Sequence, residues 1–155
     1  MSAENAPYQG YYQGKTHIFA LRVYFEDTDL SGIVYHANYL RYMERARSDM
    51  LHILGINQRD EWNKGQGGVY TISQVQLRYH SPAYIDDALR IESQLVQLRA
   101  AGSVMRQKIY RDTHLLTEGM VHAVFIGPDG RPRRQPSEWR ALFAPLVIGE
   151  EADGN

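Results

Sequence analysis

The chain has 155 residues, 43% of them hydrophobic and 23% charged, with 17 Lys+Arg against 18 Asp+Glu for a formal net charge of −1. That length and mixture suit a single globular domain, 1–155, with a sizeable core, and so even a charge balance gives no global field for nucleic acid or an anionic membrane. The absence of cysteine removes disulfides, thiolate zinc sites and a Cys nucleophile together.

Residues 1–7 carry Glu4 and no apolar run, so they do not read as a signal peptide. No stretch approaches the roughly 18 apolar residues of a membrane span. A cytoplasmic setting is the expectation for a cysteine-free chain of this kind. Residues 1–15 are rich in Tyr, Gly and Gln without a clean period, and are expected to form a flexible arm.

Residues 17–25, His-Ile-Phe-Ala-Leu-Arg-Val-Tyr-Phe, read as a strand from their β-branched and aromatic content. Residues 26–32 are acidic, small and turn-like. Leu40, Met43, Arg47, Met50, Leu51 and Leu54 then recur at helical spacing, widened by Tyr39, Tyr42 and Ala46, with Gly55 as a stop. Residues 58–68 read as a polar connection. Strands follow over 69–79 (Val69, Val75, Leu77 and Tyr79 expected on one face), 89–98, 104–110 and 115–126, with short turns that imply antiparallel pairing. Ser137 is expected to cap a short helix through Phe143, and 145–155 to form a tail with a frayed acidic end. The order predicts an α+β architecture: one long helix wrapped by a five-stranded antiparallel sheet, whose other face is left for a partner.

The densest polar constellation lies between the first strand and the helix. It is Glu26-Asp27-Thr28-Asp29 followed by Gly32-Ile33-Val34-Tyr35-His36-Ala37-Asn38-Tyr39. The helix N-terminus near residues 36–38 offers backbone N–H groups with no intrahelical partner. Their partial positive charge suits a carbonyl oxygen becoming negative. With the carboxylate of Asp29 seven residues upstream of His36, this makes a workable hydrolytic pair.

These residues, with Tyr24-Phe25 before them and Glu44-Arg45-Ala46-Arg47 after, resemble the signature of the 4-hydroxybenzoyl-CoA thioesterase family, most closely its Tol–Pal-associated acyl-CoA thioesterase branch. Tyr79-His80-Ser81-Pro82-Ala83 with Asp86-Asp87 resembles the family's break between its second and third strands. The resemblance spans roughly 18–126 and implies a hot-dog fold, dimers or tetramers with active sites at the subunit interface, and hydrolysis of acyl-CoA thioesters without metal or organic cofactor. Asp29 then falls at the catalytic carboxylate, as nucleophile or general base at an ordinary pKa. His36 falls at the helix-terminal N–H donor, with Tyr35 shaping the acyl pocket. Ser31-Gly32 stands where branch members carry two glycines. Acyl carrier protein is an alternative bearer of the acyl group.

Competing readings are weaker on the residues. Asp27 reads as structural, and Glu44 with Arg47 as an intrahelical ion pair. Asp27-x-Asp29-x-Ser31-Gly32 opens like a calcium loop, but the twelfth position is Asn38 and the preceding segment is a strand. Gly10-x-x-x-Gly14-Lys15-Thr16 is one residue short of a phosphate loop. The six histidines include no His-x-x-x-His pair, which argues against zinc. Arg131, Arg133 and Arg134 read as a solvated turn. The rival functions are dehydration of a hydroxyacyl thioester, whose His base does not match this arrangement, a non-catalytic acyl-CoA or acyl-carrier binding module, and a cell-envelope assembly protein.

Overall fold

The computed structural model describes residues 6–65 and 67–149. Strand β1 (Tyr11–Gln13) turns back through Gly14 (φ 62°) and Lys15 into β2 (Thr16–Arg22). The long helix α1 (Asn38–Ile53) and a short α2 (Gln58–Asn63) come next, then β3 (Val69–Tyr79), β4 (Ala88–Leu98), β5 (Gly102–Arg111), β6 (His114–Ile126) and α3 (Ser137–Phe143). The strands form one sheet in the order β1-β2-β4-β5-β6-β3, with every neighbouring pair antiparallel. Helix α1 separates β2 from β3 in sequence and packs on the inner face of the sheet between them. This is the wrapped-helix α+β architecture expected from the element order, and the hot-dog fold that the resemblance implies.

The helix stripe explains the packing. Tyr39, Tyr42, Met43 and Ala46 are buried against Val23, Leu89, Ile91, Ile109 and Leu116. Further along, Met50 joins Leu95, Met105, Phe125, Trp139 and Phe143. Each large side chain so buried stabilises the fold by about 1.5–3 kcal/mol relative to exposure, which is what holds a solitary helix to the sheet.

The sheet has six strands, not five. The sixth lies inside the segment read as an arm: Tyr11, Tyr12 and Gln13 pair with Ile18, His17 and Thr16. A two-residue hairpin turn with Gly at a positive φ was the available signal. Residues 1–5 lie outside the described part of the chain.

Four other expectations change. β2 stops at Arg22, because the Asp27 carboxylate accepts the Tyr24 N–H (2.8 Å) and folds Phe25–Asp27 into a 3-10 turn. Residues 58–63 are helical, with Asn57 accepting the Asp60 N–H at 3.1 Å as an N-cap. Ser137 is the first residue of α3 rather than its cap; Pro136 holds that position. A bulge falls between Ile72 and Gln74. One inserted residue exchanges the faces of a strand, so Val75, Leu77 and Tyr79 share the helix side with Tyr70, while Val69 points outward. At the other end of the chain, Ile148 donates its N–H to the Leu95 carbonyl (2.9 Å), tying 147–148 to β4. The acidic end, 150–155, lies outside the described residues.

Candidate functional site

Asp27 organises the loop between β2 and α1. It is buried, and its carboxylate is committed to the Tyr24 N–H. Its carbonyl accepts two donors, the Tyr35 N–H at 2.9 Å and the Asn38 Nδ2 at 2.7 Å. A bridge between Thr28 and Val34 and a bond from the Asp29 N–H to the Ile33 carbonyl (3.0 Å) zip 27–29 against 33–35. Gly32, at φ 80°, closes the turn where a side chain would be strained.

The second motif docks on the first. Val34 donates to the Ala83 carbonyl (2.9 Å), Ala83 donates to the Tyr39 hydroxyl oxygen (3.1 Å), and Ile33 bridges Tyr84. Arg111 clamps this corner through Asp87 (2.7 Å) and the Pro82 carbonyl (3.2 Å). Two segments separated by some forty residues therefore form one unit.

Asp29 stands exposed at the turn of that unit. Its Oδ1 accepts the Ser31 N–H at 2.8 Å and also the Ser31 hydroxyl. The hydroxyl bond, then the backbone bond, holds its carboxyl below the ordinary carboxylate range, and the neighbouring His36 acts in the same direction. The ordinary pKa expected from the sequence is thus corrected downward. Ser31, which differs from the two-glycine pattern, is the group that holds the carboxylate.

The loop ends at the start of α1. Tyr35 and His36 are both exposed, with ring centroids 4.5 Å apart. The Tyr79 hydroxyl donates to the His36 carbonyl at 2.9 Å, fixing that peptide from β3. Among the described residues no acceptor takes up the His36 N–H. Asp29 and His36 belong to one loop, but no hydrogen bond joins them. The arrangement presents an ionised carboxylate and, in the turn that leads into α1, a backbone donor without an acceptor among the described residues, which can respectively supply or activate a nucleophile and polarise a carbonyl.

Glu44 and Arg47 do not form the expected intrahelical pair. Glu44 accepts the Ser48 hydroxyl (2.8 Å), while Arg47 reaches into the sheet and donates to Gln107 Oε1 (2.9 Å). Burial of the guanidinium lowers its pKa, with Glu44 opposing. Arg131, Arg133 and Arg134 are exposed, with Arg133 tied to the Gly67 carbonyl (3.1 Å). Among the described residues no group of three or more His, Asp or Glu side chains is placed to hold a metal, and no helix is long and apolar enough to cross a membrane. The residues unassigned from the sequence are Ser31, Asn38 and Tyr79. Asn38 and Tyr79 lay within the quoted motifs, but their partners are set only by the tertiary fold.

A helix wrapped by an antiparallel sheet, with a carboxylate loop entering its N-terminus, defines a hot-dog domain of the thioesterase type. Residues 23–145 match the thioesterase-like superfamily, and the chain belongs to it. It is similar to the acyl-CoA thioesterase YbgC of Haemophilus influenzae, at 32% identity over 126 residues covering 81% of this chain and 92% of that protein. The acyl-CoA thioester hydrolase YbgC of Escherichia coli O6:H1 is 34% identical over 125 residues, 79% of this chain and 92% of that one. Among solved structures, a probable thioesterase from Bartonella henselae superposes with a TM-score of 0.74 at 35% identity, covering 78% of this chain and 99% of that chain. The 1,4-dihydroxy-2-naphthoyl-CoA thioesterase of Synechocystis shares the fold, with a TM-score of 0.77 at 21% identity over 83% of this chain and 96% of that one.

Proposed function

We propose that the protein hydrolyses acyl-CoA thioesters to a free acid and CoA, with Asp29 as nucleophile or general base and the His36 N–H as the carbonyl's hydrogen-bond donor. The observation that carries this reading is the pairing, on one braced loop, of an exposed carboxylate held below the ordinary range with the His36 N–H, just before α1, which no acceptor takes up among the described residues. The relatives' activity on acyl-CoA points the same way. As the thioester carbonyl is attacked, its oxygen gains negative charge beside the His36 N–H. One such donor contributes about 2.7–4 kcal/mol to the transition state. The electron pair of the breaking C–S bond leaves with sulfur, and the CoA thiolate departs without a strong acid. Tyr35, beside His36, would border the acyl group at the carbonyl end.

Asp29 is open to solvent in the single chain, so a second subunit would complete the site. The sheet supports such pairing: β3 is an edge strand of 11 residues with Ile72, Val75 and Tyr79 exposed at 38%, 36% and 47%. Long apolar edges of this kind are normally paired or protected. A dimer through β3, or a tetramer of such dimers, follows.

Free-thiol release from a panel of acyl-CoA and acyl-carrier-protein thioesters tests the reading, comparing wild type with Asp29→Asn. The substitution is near-isosteric and should lower kcat/KM by at least about two orders of magnitude. Tight acyl-CoA binding without thiol release by either protein would make the chain a binding module instead.

A further inference from the structure

A cavity of about 160 Å³ opens between the C-terminal half of α1 and the inner face of β3, β5 and β6. Asp29, Tyr35 and His36 do not line it. Its rim carries Glu44, Arg47 and Ser48, while Leu51, Ile72, Leu95, Met105 and Phe143 form its walls. The floor is made by Ser103 and Ala123, direct partners across β5 and β6. The adjacent pair, Met105 and Val121, is large and buried. The cavity exists because two small residues stand where the rest of this face is filled.

Helix α1 and strand β3 both lead from it toward the Asp29 loop. Leu40, Glu44, Ser48 and Leu51 form one stripe on α1. Strand β3 runs alongside in the opposite direction: Tyr79 meets His36 and Tyr39 at the helix start, while Tyr70 and Ile72 share the cavity with Leu51. At 1.5 Å per residue, Glu44 and Leu51 stand about 9 and 20 Å along the axis from Asn38. A short acyl group or a single aromatic ring anchored at His36 ends before the cavity, whereas a longer chain enters it.

The polar groups around the cavity are largely engaged. Glu44 accepts from Ser48, Arg47 donates to Gln107, the Gln58 side chain accepts the Tyr70 N–H (3.0 Å), and the Tyr70 hydroxyl donates to Gln135 (2.5 Å). At the rim and walls an oxygenated chain end would have to displace these bonds before it reached the Ser103 hydroxyl. An aliphatic end only has to leave water for the leucine, isoleucine, methionine and phenylalanine walls, which is favourable.

We propose that this cavity receives the far end of a medium- to long-chain aliphatic acyl group whose thioester carbonyl lies at His36, and that Ser103 and Ala123 set the length admitted. The proposal rests on the reading of the Asp29 loop as the thioester site. Its test is the ratio of kcat/KM for dodecanoyl-CoA to that for hexanoyl-CoA in wild type, Ala123→Leu and Ser103→Leu. Each leucine fills the floor from a different strand, so one variant serves if the other fails to fold. Displacing two methylenes should lower the ratio about 15-fold, at roughly fourfold per buried methylene. A ratio within about twofold of wild type in both variants would overturn the proposal. So would a shift confined to the oligomeric state, which would mean that a second copy's side chains occupy the space. Calorimetric binding of the same two thioesters to the Asp29→Asn protein separates the two readings. If no thioester is cleaved but the leucine substitutions still weaken dodecanoyl-CoA selectively, the hydrolytic reading fails and the cavity assignment stands.

Discussion

Asn38→Ala tests whether the loop and helix are coupled as described. Asn38 is buried at the first position of α1, and its Nδ2 donates to the Asp27 carbonyl at 2.7 Å. That carbonyl keeps the Tyr35 N–H in the variant, so it is not orphaned. The loss is then that hydrogen bond and the longer one that Asn38 Oδ1 accepts from Arg41 (3.2 Å), about 0.5–1.5 kcal/mol each at most. For a chain of this size about 1 kcal/mol corresponds to roughly 2–4 °C in Tm. Activity should fall further than stability, because small displacements of a reacting group can cost on the order of a hundredfold. Asn38→Asp sharpens the test: it keeps the volume but sets a carboxylate oxygen against the Asp27 carbonyl, a mismatch of about 1–3 kcal/mol or more. Thermal unfolding and thiol release would be measured on all three proteins. The expected order of stability is wild type, then Asn38→Ala, then Asn38→Asp. If Asn38→Asp proves as stable and as active as wild type, the hydrogen bond is not what positions the loop.

Two further outcomes follow from titrating groups. His17 is fully buried, bonded through Nε2 to Asp49 (2.7 Å), and burial pushes its pKa below the ordinary value although Asp49 opposes the shift. The unfolded chain therefore binds this proton at a higher pH than the folded one, so the stabilisation is present above about 6.5 and declines as pH falls below it. His17→Gln should flatten the dependence of Tm on pH between about 5 and 7, and an unchanged slope would assign the loss to other groups. Ser31→Ala removes the larger of the bonds holding down the Asp29 pKa. The acid limb of kcat/KM should move to higher pH while activity near neutrality, where the carboxylate stays ionised, changes little; an unmoved limb would remove Asp29 from that titration.

Much of the frame was legible locally. The stripe dictates a helix with one buried side, and α1 forms with Tyr39, Tyr42, Met43, Ala46 and Met50 buried, although Leu40, read as part of the stripe, is exposed. The strand at 69–79 and its three successors appear near their expected limits, because alternation and turn residues act over a few neighbours. The Asp-x-Asp and helix-start pattern marked the loop on which Asp29, Tyr35 and His36 are found together. Three-residue spacing also suggested a Glu44–Arg47 pair, which failed, since a buried glutamine on β5 competes better for the guanidinium than a solvated carboxylate on the same helix.

What the tertiary structure decided are the contacts between distant segments. The bulge beyond Ile72 turns Val69 away from Val75, a single-residue shift that no alternation pattern encodes. Tyr79 braces His36 across forty-three residues, and Ala83 locks Val34 across forty-nine. Packing likewise sets the cavity at Ser103 and Ala123, because a small residue leaves a void only where nothing opposite fills it. The sequence by itself determined the long helix, five of the six strands and the loop that carries the candidate residues, since propensity and periodicity are local. Orientation, bracing and empty space arose from the three-dimensional meeting of those elements, where one side chain's partner is chosen by everything packed around it.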